Sequence, residues 1–212
     1  MPRQLLPLAD DFSIRFAVLL DFAVRLEINF RTVRDRDSKI SLSELELSYE
    51  LIYLKIFLIW ENLLESAFYR LLCGYSNSVS REILLPGQSY ARSLKDAETL
   101  VLNGKDYVYW HSVRSVIKRS DIYFAPPLCR FRLALRSSPN LASYAAIRHR
   151  IAHQQKHARD QFYVAAMDLF GRRYAGANAG RLLRDVDRTV PGSPRRVSVI
   201  ASDLEDIARA AL

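Results

Sequence analysis

Three of the four histidines in the chain, His149, His153 and His157, recur every fourth residue within one run, Arg148-His149-Arg150-Ile151-Ala152-His153-Gln154-Gln155-Lys156-His157. Imidazole exchanges protons near neutral pH, and guanidinium presents a planar fork of donors that matches phosphate oxygens. These residue types suit proton transfer beside a bound phosphate. The run lies within residues 138 to 171, where Ser138 is a suitable N-cap, Pro139 sets φ at the first helical position, and Gly171 supplies a left-handed stop. No other Gly or Pro intervenes, so one long helix is predicted. At about 100° per residue the three histidines make one stripe, flanked by Arg148, Arg150, Lys156 and Arg159. Tyr144, Ile147, Ile151, Ala158, Phe162, Ala165 and Leu169 are the expected buried positions, on the other side and further along.

Arg148-His149-Arg150-Ile151-Ala152-His153 resembles the Arg, polar residue, spacer, His signature of the HEPN superfamily. These are small α-helical proteins, many of them metal-independent ribonucleases of toxin, restriction and phage-defence systems. Arg148 matches the motif arginine, His149 the polar position and His153 the motif histidine, and Arg150 to His157 forms a second, nested match. A long apolar helix ending Trp60-Glu61-Asn62 precedes the motif, as in that superfamily, and the resemblance covers roughly residues 8 to 171. It implies an all-α, up-and-down helical bundle over residues 1–171; residues 172–212 lie outside the resemblance and read from their composition as a basic arm and a short C-terminal helix packing on the same domain. The activity implied is attack of an RNA 2′-hydroxyl on the neighbouring phosphate, leaving a 2′,3′-cyclic phosphate and a free 5′-hydroxyl, with no cofactor and no metal. In that scheme His153 is the general acid/base, Arg148 holds the phosphate and His149 polarises or orients. Arg150, His157 and Lys156 support substrate binding, and Arg130 and Arg132 widen the basic surface. Glu61 is expected to pair with Arg148 or to orient His153, because a buried charge without a partner is costly.

Arg148 and His153 lie about 140° apart around an ideal helix. They meet at one phosphate if the arginine wraps round or a second subunit contributes, and the superfamily implies a homodimer whose motif helices face each other. An antitoxin or companion subunit is a possible further partner. A non-catalytic RNA- or nucleotide-binding module, or a scaffold subunit of a defence complex, is the alternative function. The i,i+4 pairs His149/His153 and His153/His157 have metal-ligand spacing, yet no clear third ligand accompanies them.

The elements that must position these residues read as helices throughout. The chain has 212 residues, half of them hydrophobic, enough to bury a full core, and its seven Gly and eight Pro fall mostly outside the periodic stretches. Residues 1–127 hold 16 basic and 16 acidic side chains and residues 128–212 hold 15 and 7, so the second stretch carries the whole net charge of +8. Such asymmetry favours a polyanionic partner such as RNA. Cys73 and Cys129 form no metal or disulfide pattern, and the first residues reach Asp10 and Asp11 before an apolar run develops, so a reduced cytoplasmic setting is expected.

Residues 10–36 are predicted as a first helix, with Phe12, Phe16, Leu19, Ala23, Leu26 and Phe30 inward and a turn at Arg34–Lys39. Ser41 and Glu44 make a capping box for a second helix, Leu42 to about Leu72, stopped by Gly74. Its apolar centre, Leu51 to Trp60, is too short to span a bilayer and suits a central helix or one that also meets another subunit. Short helices are expected at 93–102 and from Asp106 onward, and the Tyr107, Tyr109, Trp110, His111 cluster is read mainly as core packing, with base stacking the alternative. Pro126-Pro127 breaks the chain, and residues 128–136 fit a strand or a helix equally. After Gly171 a loop or mobile arm is expected, on which exposed Arg172, Arg173, Arg195 and Arg196 either grip RNA or keep the arm soluble, before a last short helix capped by Ser202 and Glu205.

Overall fold

The computed structural model describes residues 4–33, 39–77, 80–125 and 129–212, and among these the chain is all-α, with only isolated β-bridges outside its helices. The helices are α1 (Leu6–Thr32), α2 (Leu42–Leu72), α3 (Leu94–Leu102), α4 (Val113–Tyr123), α5 (Arg130–Arg136), α6 (Leu141–Ala152), α7 (Lys156–Phe170), a 3-10 turn at Ala175–Ala177, α8 (Ala179–Arg184) and α9 (Arg196–Ala211). No helix of the described residues is long and apolar enough to cross a membrane. Most of the expected Arg34–Lys39 turn, and Pro126, Pro127 and Leu128, lie outside the described residues.

Two compact units are built from interleaved stretches of chain. The first comprises Met1–Ser13, Ile59–Leu141 and Leu204–Leu212. Phe68 of α2 is its aromatic centre, meeting Phe124, Phe131 and Tyr123 edge-on at 5.4, 5.9 and 6.0 Å between centroids and Trp110 at 5.6 Å. Ser93 caps α3 as expected, accepting from the Asp96 N–H. α4 starts later than Asp106, because the Ser112 hydroxyl caps it by accepting from the Ser115 N–H. Residues 130–136 are helical rather than extended. The Glu82 carboxylate accepts from the Arg130 N–H at 3.0 Å and holds the first turn, which burial of Phe131, Ala134 and Leu135 then stabilises. Of the aromatic cluster, Trp110 is buried and donates to Glu65 at 3.0 Å, whereas Tyr107 and Tyr109 are exposed and bond each other through their hydroxyls.

The second unit comprises Ile14–Leu58 and Ala142–Asp203. The capping box at the head of α2 forms as predicted, with the Ser41 N–H donating to Glu44 at 2.7 Å and the Glu44 N–H to Ser41 at 3.2 Å. Glu27 of α1 is buried, and besides Arg31 one turn on at 3.6 Å it gathers partners from distant parts of the chain. Arg184 Nε lies 2.7 Å from one carboxylate oxygen and Arg195 Nη2 2.9 Å from the other, and the Tyr49 hydroxyl donates to Glu27 at 3.3 Å. Burial and the Glu27 charge hold Tyr49 well above the usual phenol range.

Residues 172–203 pack as structure rather than as an arm. Leu182, Leu183, Val197, Ile200 and Ala201 are buried, and α9 begins at Arg196, so Ser202 lies inside the helix and does not cap it. α8 presses on α2 so closely that a Cβ on Gly180 would stand 2.2 Å from the Glu46 carbonyl oxygen. The Gly180 N–H donates to Glu50 at 3.0 Å and the Asn178 amide to Glu46 at 2.7 Å, anchoring the start of α8 on the same face. Gly180→Ala is therefore expected to destabilise the protein by about 1–3 kcal/mol, the usual cost of overpacking, and thermal melting measures it. An unchanged melting temperature would mean that α8 is not held in this contact.

Candidate functional site

The long helix predicted over residues 138–171 is broken. α6 ends at Ala152, residues 153–155 are not helical, and α7 starts at Lys156. The start also differs, because the Ser138 hydroxyl donates back to the Ala134 carbonyl at 2.7 Å and α6 begins only at Leu141. No Gly or Pro causes the break at 153–155. Arg150 accounts for it in part: its Nε donates to the Ala177 carbonyl at 3.1 Å and its Nη1 reaches the His153 carbonyl at 3.5 Å. The His153 carbonyl lies just past the end of α6, so this donor stands where a further turn's N–H would be. Arg150, expected to bind substrate, thus braces the end of α6 against the 3-10 turn.

The expected buried face is right where α6 and α7 are regular: Tyr144, Ile147, Ala158, Phe162 and Ala165 are buried, with Ile151 and Leu169 half-buried. Tyr144 fixes α6 at both ends of its own residue, its carbonyl accepting from the Tyr53 hydroxyl at 2.9 Å and its hydroxyl donating to Asp203 at 2.6 Å. Arg148 and His149 follow on the half-buried side, while His153, Lys156 and His157 are exposed.

The break changes the geometry of the histidines. His153 is past the last helical residue, so the 140° separation from Arg148, which assumed a continuous helix, no longer sets its direction. Its N–H still donates to the His149 carbonyl at 2.9 Å, and the two imidazole rings lie 4.6 Å apart between centroids. His157 belongs to the first turn of α7, not to one stripe with the other two. Partial burial, then the neighbouring charges of His153, Arg148 and His157, hold the His149 pKa below its usual value. The shift favours the neutral imidazole at His149, the form that can accept a proton.

The interruption also creates a helix N-terminus that the sequence did not announce. α7 begins after Gln155, whose side chain makes no capping hydrogen bond, so the first N–H groups of this 15-residue helix have no side-chain cap there. An uncapped N-terminus is a ready anion site, through both its N–H groups and the helix dipole. Lys156, His157 and Arg159 stand in its first turns, and Lys156 makes only an exposed contact of 3.5 Å with Asp160.

The remaining expected site residues belong to the first unit. Arg132 does not widen a basic surface: its side chain is 2% exposed and paired with Asp121 at 2.7 Å, with Arg136 on the same carboxylate at 3.1 Å. Arg130 is half-buried in the first turn of α5, and Glu61 is half-buried in α2. Glu65, the neighbour of Glu61 one turn on, serves structure by accepting from Tyr69 and Trp110, each at 3.0 Å. Among the C-terminal arginines expected to be exposed, Arg195 and Arg196 are drawn into ion pairs with Glu27 and Asp185. Among the described residues no three His, Cys, Asp or Glu side chains form a metal-ligand group. No protein-family model matches the chain, nor does any curated protein or solved structure.

Proposed function

We propose that the protein is a metal-independent endoribonuclease of HEPN type, acting in a toxin or phage-defence system at the junction of α6 and α7. The observation that carries this reading is the pairing of His149 and His153, 4.6 Å apart between ring centroids, next in the chain to the uncapped N-terminus of α7. Two imidazoles at that spacing can serve one phosphate as proton acceptor and proton donor. Each such transfer is worth about 10²–10⁴ in rate.

In the reaction the RNA 2′-oxygen bonds to phosphorus and the bond from phosphorus to the 5′-oxygen breaks. One imidazole takes the 2′-hydroxyl proton, a role suited to neutral His149, and His153 returns a proton to the leaving 5′-oxygen. Arg148, with Lys156, His157 and the α7 N–H groups, supplies positive charge for the equatorial oxygens as the transition state forms. The products are a 2′,3′-cyclic phosphate and a 5′-hydroxyl.

A second copy of the chain is part of this reading. Ile14, Val18 and Phe22 of α1 and Leu47, Leu51 and Leu58 of α2 are each about half exposed or more, an apolar surface that a partner subunit would cover. The test is cleavage of a mixed-sequence, end-labelled RNA by purified protein in excess EDTA, with product ends analysed. Cyclic phosphate ends are expected. Protein that binds RNA without cutting it under any condition would favour the non-catalytic binding module instead.

A further inference from the structure

A cleft of about 590 Å³ opens in the second unit between the end of α7, the Val186 to Arg195 bridge and the start of α9. Ligand pockets usually enclose about 300–1,000 Å³, so a molecule of nucleotide size fits. None of its lining residues belongs to the run from Arg148 to His157, and its argument does not rest on the ribonuclease reading.

Four arginines, Arg172, Arg188, Arg195 and Arg196, line the cleft, and they are not equally occupied. Arg195 is committed to Glu27 at 2.9 Å. Arg172 and Arg196 share a single carboxylate, Asp185, at 3.3 and 4.0 Å, and the Tyr174 hydroxyl also donates to it at 2.7 Å. Arg188 is exposed and makes no ion pair among the described residues. The other acid on the wall, Asp187, accepts from the Thr189 N–H at 2.9 Å and the Thr189 hydroxyl at 2.6 Å and also feels the Arg196 charge, but four arginines outnumber the carboxylates that face them. Positive charge is left in excess. The start of the 16-residue α9 adds its partial charge of the same sign.

One donor is conspicuously unused. Arg196 is 8% exposed, its guanidinium stacks 4.2 Å from the Phe170 ring centroid and bonds the Tyr174 hydroxyl, yet its buried Nε has no hydrogen-bond partner. An unsatisfied buried donor is destabilising, and an anion entering the cleft would relieve it. Leu169 and Phe170, both half-buried, give the same wall an apolar part. Guanidinium forks favour the planar, multiply charged oxygens of a phosphate.

We propose that this cleft binds a phosphomonoester attached to a planar apolar group, with the phosphate on Arg188, Arg172 and Arg196 and the planar group against Leu169 and Phe170. The chemistry is that of a nucleoside monophosphate, free or at the 5′ end of an RNA strand.

Titration calorimetry of the full chain with AMP, inorganic phosphate and adenosine tests it, beside Arg188→Glu and Arg172→Ala. Both substituted side chains are exposed, so melting temperatures should stay near that of the wild type. AMP is expected to bind more tightly than phosphate or adenosine alone, and each substitution to weaken it about tenfold or more, the loss of one charge-assisted hydrogen bond. Absence of AMP binding at millimolar concentration, or equal AMP affinity in all three proteins, overturns the proposal. Competition against AMP by a 5′-phosphorylated trinucleotide but not by its 5′-hydroxyl counterpart extends the site to strand ends. Equal competition by both oligonucleotides would overturn the role given to the phosphate. Including His153→Ala as a fourth protein keeps the two sites apart, since its AMP affinity should equal that of the wild type.

Discussion

His153→Ala is expected to lower RNA cleavage by about 10²–10⁴-fold while leaving RNA affinity nearly unchanged. The side chain is exposed and follows the last residue of α6, so its loss opens no cavity and frees no buried partner. What disappears is a proton donor. In the proposed reaction affinity rests on the cations and the N–H groups of α7, which the substitution leaves in place. Arg148→Ala should behave differently, losing affinity and rate together, because its charge acts on the phosphate in both ground and transition states. Single-turnover cleavage and filter binding on the same RNA separate the two. Wild-type rates in His153→Ala would remove that residue from the chemistry, and a parallel loss of binding would make it a contact rather than an acid.

Glu27→Ala should cost about 3 kcal/mol or more, lowering the melting temperature by on the order of 10 °C. The carboxylate is nearly buried and holds two largely buried guanidiniums, Arg184 and Arg195, each with a side chain only 22% exposed, while a third, Arg31 at 3.6 Å, is exposed and screened by water. Removing it leaves two positive charges facing each other with little water to screen them and takes the acceptor from Tyr49. Removing one arginine leaves the carboxylate with the other, so Arg184→Ala and Arg195→Ala should each cost less than Glu27→Ala. The effects should also fail to add, as expected within one network. Thermal melts of the three single variants and the double arginine variant measure this. A Glu27→Ala protein that melts with the wild type would mean that the cluster is neutral on balance, its attraction cancelled by the cost of drying three charges.

The all-α class was legible because α1 and α2 carry apolar residues at helical spacing, and because Ser41, Glu44 and Ser93 cap in the way their positions suggest. Local signals also placed Gly171, which ends α7 in the left-handed conformation with φ of 60°. The break at 153–155 was not legible. It contains no breaker, and part of its cause is a bond from Arg150 to the carbonyl of Ala177, in a turn that sequence reading took for an arm. The same limit explains the arginines. Arg132, Arg195 and Arg196 look like any exposed basic residue until Asp121, Glu27 and Asp185 are brought to them by the fold. For the candidate site, helical periodicity correctly kept the histidines off the core face, but it gave them one stripe where the chain turns a corner. The uncapped start of α7 arises from that corner and has no signature of its own.

The interleaving of the two units has a consequence for how the protein is made. Each draws on residues before position 60 and on residues beyond 200, and in the first unit Arg209 reaches back to Asp10 at 3.4 Å and to Ser13 at 3.2 Å. During synthesis, α1 and the first half of α2 must wait on the ribosome without the segments that complete their cores, since chain ends this distant in sequence close late. The exposed side chains of Ile14, Val18, Leu47 and Leu51 are available throughout that interval. Neither unit is complete until residues beyond 200 have emerged, so the apolar side chains of α1 and α2 stay open to other contacts for that interval.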